Sequence, residues 1–165
     1  MPIKDALLPE FDHEMGTTRR LLERVPDDKL GWKPHEKSMS LGRLATHVAE
    51  VPHWGTMAIS ATEYNMVPGS YVPTAKGSRA EILGLFEENA AAFRRQIETT
   101  SDAELMAMWT LKNDGETVFS MPRIGVLRSM VMNHLIHHRG QLSVYLRQND
   151  VPLPAMYGPS ADERG

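Results

Sequence analysis

Histidine is the residue type in this sequence with the clearest capacity for metal chemistry. The 165 residues include seven histidines and no cysteine. The missing thiols exclude disulfides, thiolate metal sites, iron–sulfur clusters and a cysteine nucleophile. Any metal site would therefore rely on imidazole nitrogens, and any thiol used in a reaction would come from outside the chain.

Two histidines, His134 and His138, are spaced one helical turn apart in the last long apolar segment. On an ideal helix they fall within about 60° of Leu127 and Val131, which predicts that both lie at the centre of the buried stripe. Two histidines at positions i and i+4 form a known bidentate metal arrangement.

A third histidine, His47, occupies a similar position in the second predicted helix. Leu44, Val51 and Trp54 project within about 60° of it. Three imidazoles thus point into one core from two helices. They are costly to bury in the charged form, and a divalent cation would accept all three as neutral ligands. A core histidine satisfied by ordinary hydrogen bonds remains the alternative at each position.

The other four histidines fit a metal site less well. His137 projects about −60° from His134 and remains ambiguous, as a residue at the rim of the site. The other three are interpreted as bystanders: His13, His35 and His53.

A di-iron carboxylate site is the competing metal interpretation. Glu-x-x-His, the local motif of such bundles, occurs at residues 10–13 and 50–53. The other two helices would each have to supply a glutamate, but the last one has no acidic residue between Pro122 and Asn149. The motif histidines also point away from the core, so this site is disfavoured.

Hydrophobic periodicity indicates the elements that must position these residues. It predicts four helices, over about 4–24, 40–63, 79–98 and 122–148. A long crossover loop is predicted over 64–77 and a small hairpin around Asn113-Asp114-Gly115. The predicted fold is all-α: a four-helix bundle with a long crossover between helices 2 and 3, and a small hairpin before helix 4. Residues 1–165 form a single domain with a flexible tail over 159–165.

Several segments together resemble a known family. They are Trp32-Lys33-Pro34, the run Ser40 to His47, the run His134-Leu135-Ile136-His137-His138-Arg139-Gly140-Gln141, and the proline-rich ending after Val151. The chain is similar to DinB/YfiT-like proteins over essentially its whole length. The resemblance implies a bundle with a three-histidine site, with His47, His134 and His138 as ligands for nickel or zinc. It also implies frequent dimers. Some relatives are transferases or isomerases that use low-molecular-weight thiols, and others are known only as stress-associated metalloenzymes.

The predicted function is a metal-dependent enzyme with an open three-histidine site, either a thiol-dependent S-transferase or a hydrolase. Its partners would be a small-molecule substrate and a low-molecular-weight thiol. Gln141 and Tyr145, on the same helix face, are weak candidates for orienting substrate, or are ordinary polar edges of a buried stripe. Arg139 projects about 140° away and is assigned a structural or interface role.

A non-catalytic metal-binding or dimerisation module, acting in a stress response, is the alternative function. Met132 and Ile136 project to the face opposite the ligands, which favours a helix-packed homodimer or contact with another element of the chain.

Charge and hydropathy constrain partners and location. The net charge of −3 argues against a nucleic-acid partner. The first residues do not resemble a signal peptide, and no apolar run is long enough for a membrane span. A cytoplasmic location without membrane contact is therefore expected.

Overall fold

The chain begins with helix α1 (Ile3–Leu22), which buries the face that its periodicity predicts. The computed structural model describes residues 1–164. Leu7, Phe11 and Leu22 of α1 are at most 4% exposed and face the core. The helix ends two residues earlier than predicted, before the turn at Pro26.

Two further long helices follow, α2 (Leu41–Ser60) and α3 (Arg79–Thr99), close to the predicted ranges. Ser40 caps α2 because its hydroxyl accepts a hydrogen bond from the Arg43 amide. Ser78 caps α3 in the same way: its hydroxyl accepts a hydrogen bond from the Glu81 amide, and the Glu81 carboxylate accepts one from the Gly77 amide.

The last long helical segment is interrupted in its hydrogen bonding, which the sequence did not reveal. It consists of α5 (Arg123–Val126), a π-helical stretch (Leu127–Asn133) and α6 (His134–Gln148). Because a π turn contains more residues than an α turn, the residues of α6 point in directions around the helix axis that differ from those expected from Leu127. The fully buried side chains of α6 include Leu135 and Leu142.

The ideal-helix projection was therefore wrong in detail for this segment. His134 and His138 lie half-buried at the edge of the buried stripe instead of at its centre. Arg139, predicted to point away, is 1% exposed, and its guanidinium pairs with Glu14 of α1 at 2.6 Å. Met132, predicted on an outer face, is also 1% exposed and belongs to the core.

A small three-stranded sheet corrects the all-α prediction, so the chain is mostly helical. The short helix α4 (Asp102–Met106) precedes the hairpin of β2 (Met108–Asn113) and β3 (Glu116–Pro122). The predicted hairpin is confirmed, and Asp114 and Gly115 both adopt positive φ angles in its turn, 51° and 84°.

The third strand, β1 (Glu63–Met66), pairs parallel to β2 inside the segment predicted as the end of helix 2 and the crossover loop. All four of its residues are exposed, so no alternation of apolar and polar residues marked it as a strand. The crossover thus begins by adding an edge strand to the hairpin.

Packing of the long helices places α2 against α3 and α6, and α1 against α3 and α6. Near the end of the chain, Glu163 pairs with Arg20 at 2.5 Å and Asp162 pairs with Arg147. Gly165, the last residue of the tail predicted to be flexible, lies outside the described residues. Among residues 1–164, no helix has the length and apolarity needed to cross a bilayer.

Candidate metal centre

Three histidine side chains meet between α2 and the start of α6. The Nε2 atoms of His47 and His134 are 3.1 Å apart. The His138 ring centroid lies 4.6 Å from each of the other two. One ring nitrogen from each residue lies within 4.8 Å of the others. The structure therefore brings together the three residues that the sequence singled out.

The backbone explains why these side chains converge. His47 lies on the buried face of α2 and is 7% exposed. His134 begins α6 directly after the π-helical stretch, and His138 follows one turn later. Because π turns in helices often occur at functional sites, this stretch is a further mark of the centre.

Gln141 contacts one of the three imidazoles. Its Oε1 atom lies 2.7 Å from His138 Nδ1. Because an amide oxygen only accepts hydrogen bonds, the contact places a proton on Nδ1 and leaves Nε2 with a free lone pair. Gln141 thus orients His138, as partners of metal-binding histidines commonly do.

Glu50 is the residue that the sequence interpretation missed. It lies three positions after His47, and its Oε2 atom is 3.7 Å from His47 Nδ1. Arg43 donates to the same oxygen from both terminal nitrogens at 3.0 Å, and Tyr71 donates to it at 3.3 Å. The spacing of three was the available signal, since residues at i and i+3 share a helix face.

This network keeps Glu50 ionised. Burial acts to raise the pKa of its carboxyl, but the contacts with His47 and Arg43 outweigh burial, and the net pKa is below its ordinary value. A carboxylate that faces the outer nitrogen of a metal-binding histidine fixes the ring and increases its basicity.

Electrostatics keep His134 and His138 neutral at pH 7. Burial, reinforced by the neighbouring imidazoles, lowers the pKa of His134 to about 4. Burial also lowers the pKa of His138, against the opposing effect of the Gln141 hydrogen bond. Neutral imidazole is the form that binds a metal ion.

The residues present fit a divalent cation. Two imidazole nitrogens bound to one tetrahedral Zn²⁺ would lie about 3.4 Å apart, close to the separation of His47 and His134 Nε2. His47 Nδ1 is buried with no hydrogen-bond partner among the described residues and has only the longer contact with Glu50. Three converging imidazoles, two of which have an acceptor oxygen near the outer nitrogen, are a suitable donor set for zinc or nickel.

The remaining candidates lie outside this cluster. His13, His35 and His53 are exposed. His137 is exposed as well, and its ring lies 4.9 Å from that of His138. Tyr145 packs edge-to-face on Trp32, with ring centroids 5.5 Å apart.

A cavity of about 370 Å³ adjoins the cluster, and His134 forms part of its wall. Trp54 of α2 lines it as well, with its ring 5.1 Å from that of His134. Further walls come from β1, β2 and the π-helical stretch. A second, more open hollow of about 410 Å³ is lined by His134 and His138. The centre is therefore accessible to small molecules.

A family model for the DinB family matches residues 1–164. The chain belongs to the DinB family. It is 27% identical over 163 residues to the uncharacterized protein YrdA of Bacillus subtilis (strain 168), covering 96% of this chain and 90% of that one. It is 24% identical over 143 residues to YjoA of the same organism, covering 86% and 88%.

Two solved structures of DinB-like proteins share the fold of this chain. A DinB-like protein from Bacillus cereus ATCC 10987 superimposes with a TM-score of 0.71 at 23% identity, covering 94% of this chain and 98% of that one. The DinB-like YjoA of Bacillus subtilis gives a TM-score of 0.68 at 20% identity, covering 88% and 92%.

Proposed function

We propose that this DinB family member is a metal-dependent enzyme, with His47, His134 and His138 as ligands of one divalent cation, nickel or zinc. The observation that carries the proposal is the convergence of three buried or half-buried imidazoles, one of which, His134, forms part of the wall of a cavity. Structural metal sites are closed by four protein ligands, whereas three ligands beside a cavity are typical of catalytic sites.

A bound divalent cation would supply Lewis acidity and lower the pKa of a water or thiol in its open position. The chain's own residues prepare that position. Gln141 holds the proton on His138 Nδ1, and Glu50 faces His47 Nδ1. The ring of Trp54 packs edge-to-face against the rings of His47 and His134, with centroids 5.5 and 5.1 Å away.

Thiol transfer is the reaction class that we favour, on the basis of the family resemblance. The sulfur of a low-molecular-weight thiol would bond to an electrophilic carbon of the substrate. The leaving group would depart with the electron pair of the broken bond, and the thiol proton would pass to solvent. Hydrolysis by an activated water is the second reaction that the same centre supports.

Metal stoichiometry tests the ligand assignment. We expect chelated protein, dialysed against Zn²⁺ or Ni²⁺, to retain one ion per chain. His134→Ala should lose it, whereas the matched variant His137→Ala should keep it because His137 lies outside the cluster. Unchanged stoichiometry in His134→Ala, or loss in both variants, would overturn the assignment.

Measurements of turnover distinguish the proposed enzyme from the alternative, a non-catalytic metal-binding module. The metal-loaded and chelated proteins should be compared with several cellular thiols and haloalkyl or epoxide electrophiles, and with esters for the hydrolase. Equal rates in both forms would favour the module. The homodimer and the cytoplasmic location stay predictions, and a dimer would need a surface other than Met132, which is in the core.

A further inference from the structure

The wall of the cavity beside His134 is almost entirely apolar. Its residues come from six elements and from the crossover after β1, and they include Trp54, Met57, Tyr64, Trp109, Met130 and Val131. Among the described residues that line it, none is Lys, Arg, Asp or Glu. A ligand that carries its own charge into this space would lose its hydration without gaining an ionic partner.

The two charged groups that contact the hydroxyl of Tyr71, Arg43 and Glu50, are already paired with each other. Tyr71 lines the cavity, and its hydroxyl accepts from Arg43 at 2.5 Å and donates to Glu50. Arg43 in turn forms an ion pair with Glu50 at 3.0 Å. The guanidinium is therefore not free to bind a carboxylate or phosphate of a ligand.

The volume of the cavity limits the size of the ligand. A cavity of about 150 Å³ lined by apolar side chains is sufficient to bind benzene. The present cavity is about 370 Å³, which is room for a two-ring aromatic group or a branched chain of similar volume. Three methionines in its wall, Met57, Met66 and Met130, can adapt to ligands of different shape.

The crossover side of the cavity is unusually apolar for an exposed surface. Tyr64 and Met66 are each 38% exposed and Val67 is 51% exposed, and all three line the cavity. A ligand seated between them and Trp109 would remove this apolar surface from water, which favours binding.

We propose that this cavity binds the neutral, apolar portion of the substrate, an aromatic or branched hydrocarbon group of about two rings. The reacting atom would then lie on the His134 side. This inference rests on the proposed function, because it assigns the substrate class of the same centre. It excludes phosphorylated and carboxylated groups from the cavity itself.

The test uses 2-naphthol and 2-naphthoate, which share a ring system and differ in charge at pH 7. Each is titrated calorimetrically into the full-length, chelated protein. We expect 2-naphthol to bind about tenfold more tightly or better, since the carboxylate would have to enter an apolar space. Equal affinity, tighter binding of 2-naphthoate or no binding of 2-naphthol would overturn the proposal.

Two variants test whether 2-naphthol binds in this cavity. Ala58→Phe fills the cavity from α2, and Met130→Trp fills it from the opposite wall at a half-buried position. Each should weaken 2-naphthol binding about tenfold. Ala91→Phe, the same enlargement at an exposed position of α3, should leave it unchanged. Unweakened binding in Met130→Trp, with its fold checked by circular dichroism, would contradict the assignment even if Ala58→Phe fails to fold.

The metal measurement keeps the two proposals separate. Because 2-naphthol binding is measured without metal, its absence in a protein that retains one Zn²⁺ overturns only the substrate class. Binding of 2-naphthol by a protein that retains no metal overturns the proposed metalloenzyme and leaves the cavity assignment in place.

Discussion

The Oε2 atom of Glu50 lies 3.7 Å from Nδ1 of His47 and also accepts hydrogen bonds from Arg43 and Tyr71. Tyr71 belongs to the crossover after α2, whereas His47 lies within α2. One carboxylate oxygen therefore connects a proposed metal ligand to the segment that borders the cavity. Glu50 is a positioning residue in this arrangement, since it acts through His47.

Replacing Glu50 with Ala should lower Zn²⁺ affinity by about 10- to 100-fold, because His47 loses the carboxylate that faces its outer nitrogen. Competition with a chelator of known affinity measures the change. Glu87→Ala, which removes an exposed partner of Arg19, is the matched control. An affinity for Glu50→Ala equal to that of the control would contradict the role of Glu50.

The metal-free protein should lose stability as the pH is lowered from 6.5 towards 4. The pKa of His134 is about 4 in the folded chain against an ordinary 6.5, so the unfolded chain binds more protons between these values. The free energy of unfolding therefore falls with falling pH across this window. Urea unfolding of the chelated protein at pH 6.5 and at about pH 5 measures this fall in the free energy of unfolding.

The source of this pH dependence can be checked with two asparagine variants. His134→Asn should show a smaller loss of stability over the same interval. His13→Asn, at an exposed position of α1, should show the loss of the parent protein. If the two variants behave alike, His134 is not the group responsible.

Replacing Arg139 with Met should destabilise the fold by about 3–5 kcal/mol, because it leaves Glu14 as an unpaired buried charge. The pair joins α6 to α1 at 2.6 Å, with both side chains at most 7% exposed. Arg19→Met, at an exposed ion pair, should cost at most about 1 kcal/mol. Adding Glu14→Leu to Arg139→Met should restore stability; further loss would argue against the unpaired charge as the cause.

Residue spacing correctly predicted that the three histidines lie close together, because short stretches of helix preserve spacing even when a neighbouring turn is irregular. His134 and His138 lie one regular turn apart in α6, and His47 lies within unbroken α2. The ideal-helix projection gave wrong side-chain directions where it related α6 to Leu127, because the intervening π-helical stretch has more residues per turn than an α-helix. A π turn has no strong sequence signal.

The partners of the histidines were harder to predict than the histidines themselves. Tyr71 reaches Glu50 from 21 positions along the chain, through a crossover whose path periodicity does not determine. Strand β1 was missed for a similar reason, because its pairing with β2 comes from backbone hydrogen bonds and not from an apolar pattern. The contact of Gln141 was predictable because Gln141 lies three positions after His138 and shares its helix face.

A tight contact between Gly55 of α2 and Phe93 of α3 yields the last prediction. A Cβ atom added at Gly55 would lie 2.4 Å from Cζ of Phe93, whose ring is fully buried. Gly55→Ala should therefore destabilise the protein by about 1–3 kcal/mol through overpacking, despite the higher helix propensity of alanine. Gly84→Ala is the matched control, because no atom lies within 4 Å of its added Cβ.

Gly84→Ala should stabilise α3 by up to about 1 kcal/mol. The two variants should therefore change the free energy of unfolding, measured in urea, in opposite directions. Gly55→Ala/Phe93→Leu should recover part of the lost stability, since a smaller side chain would face the new methyl group. A stabilising effect of Gly55→Ala alone would show that the two helices can separate without cost.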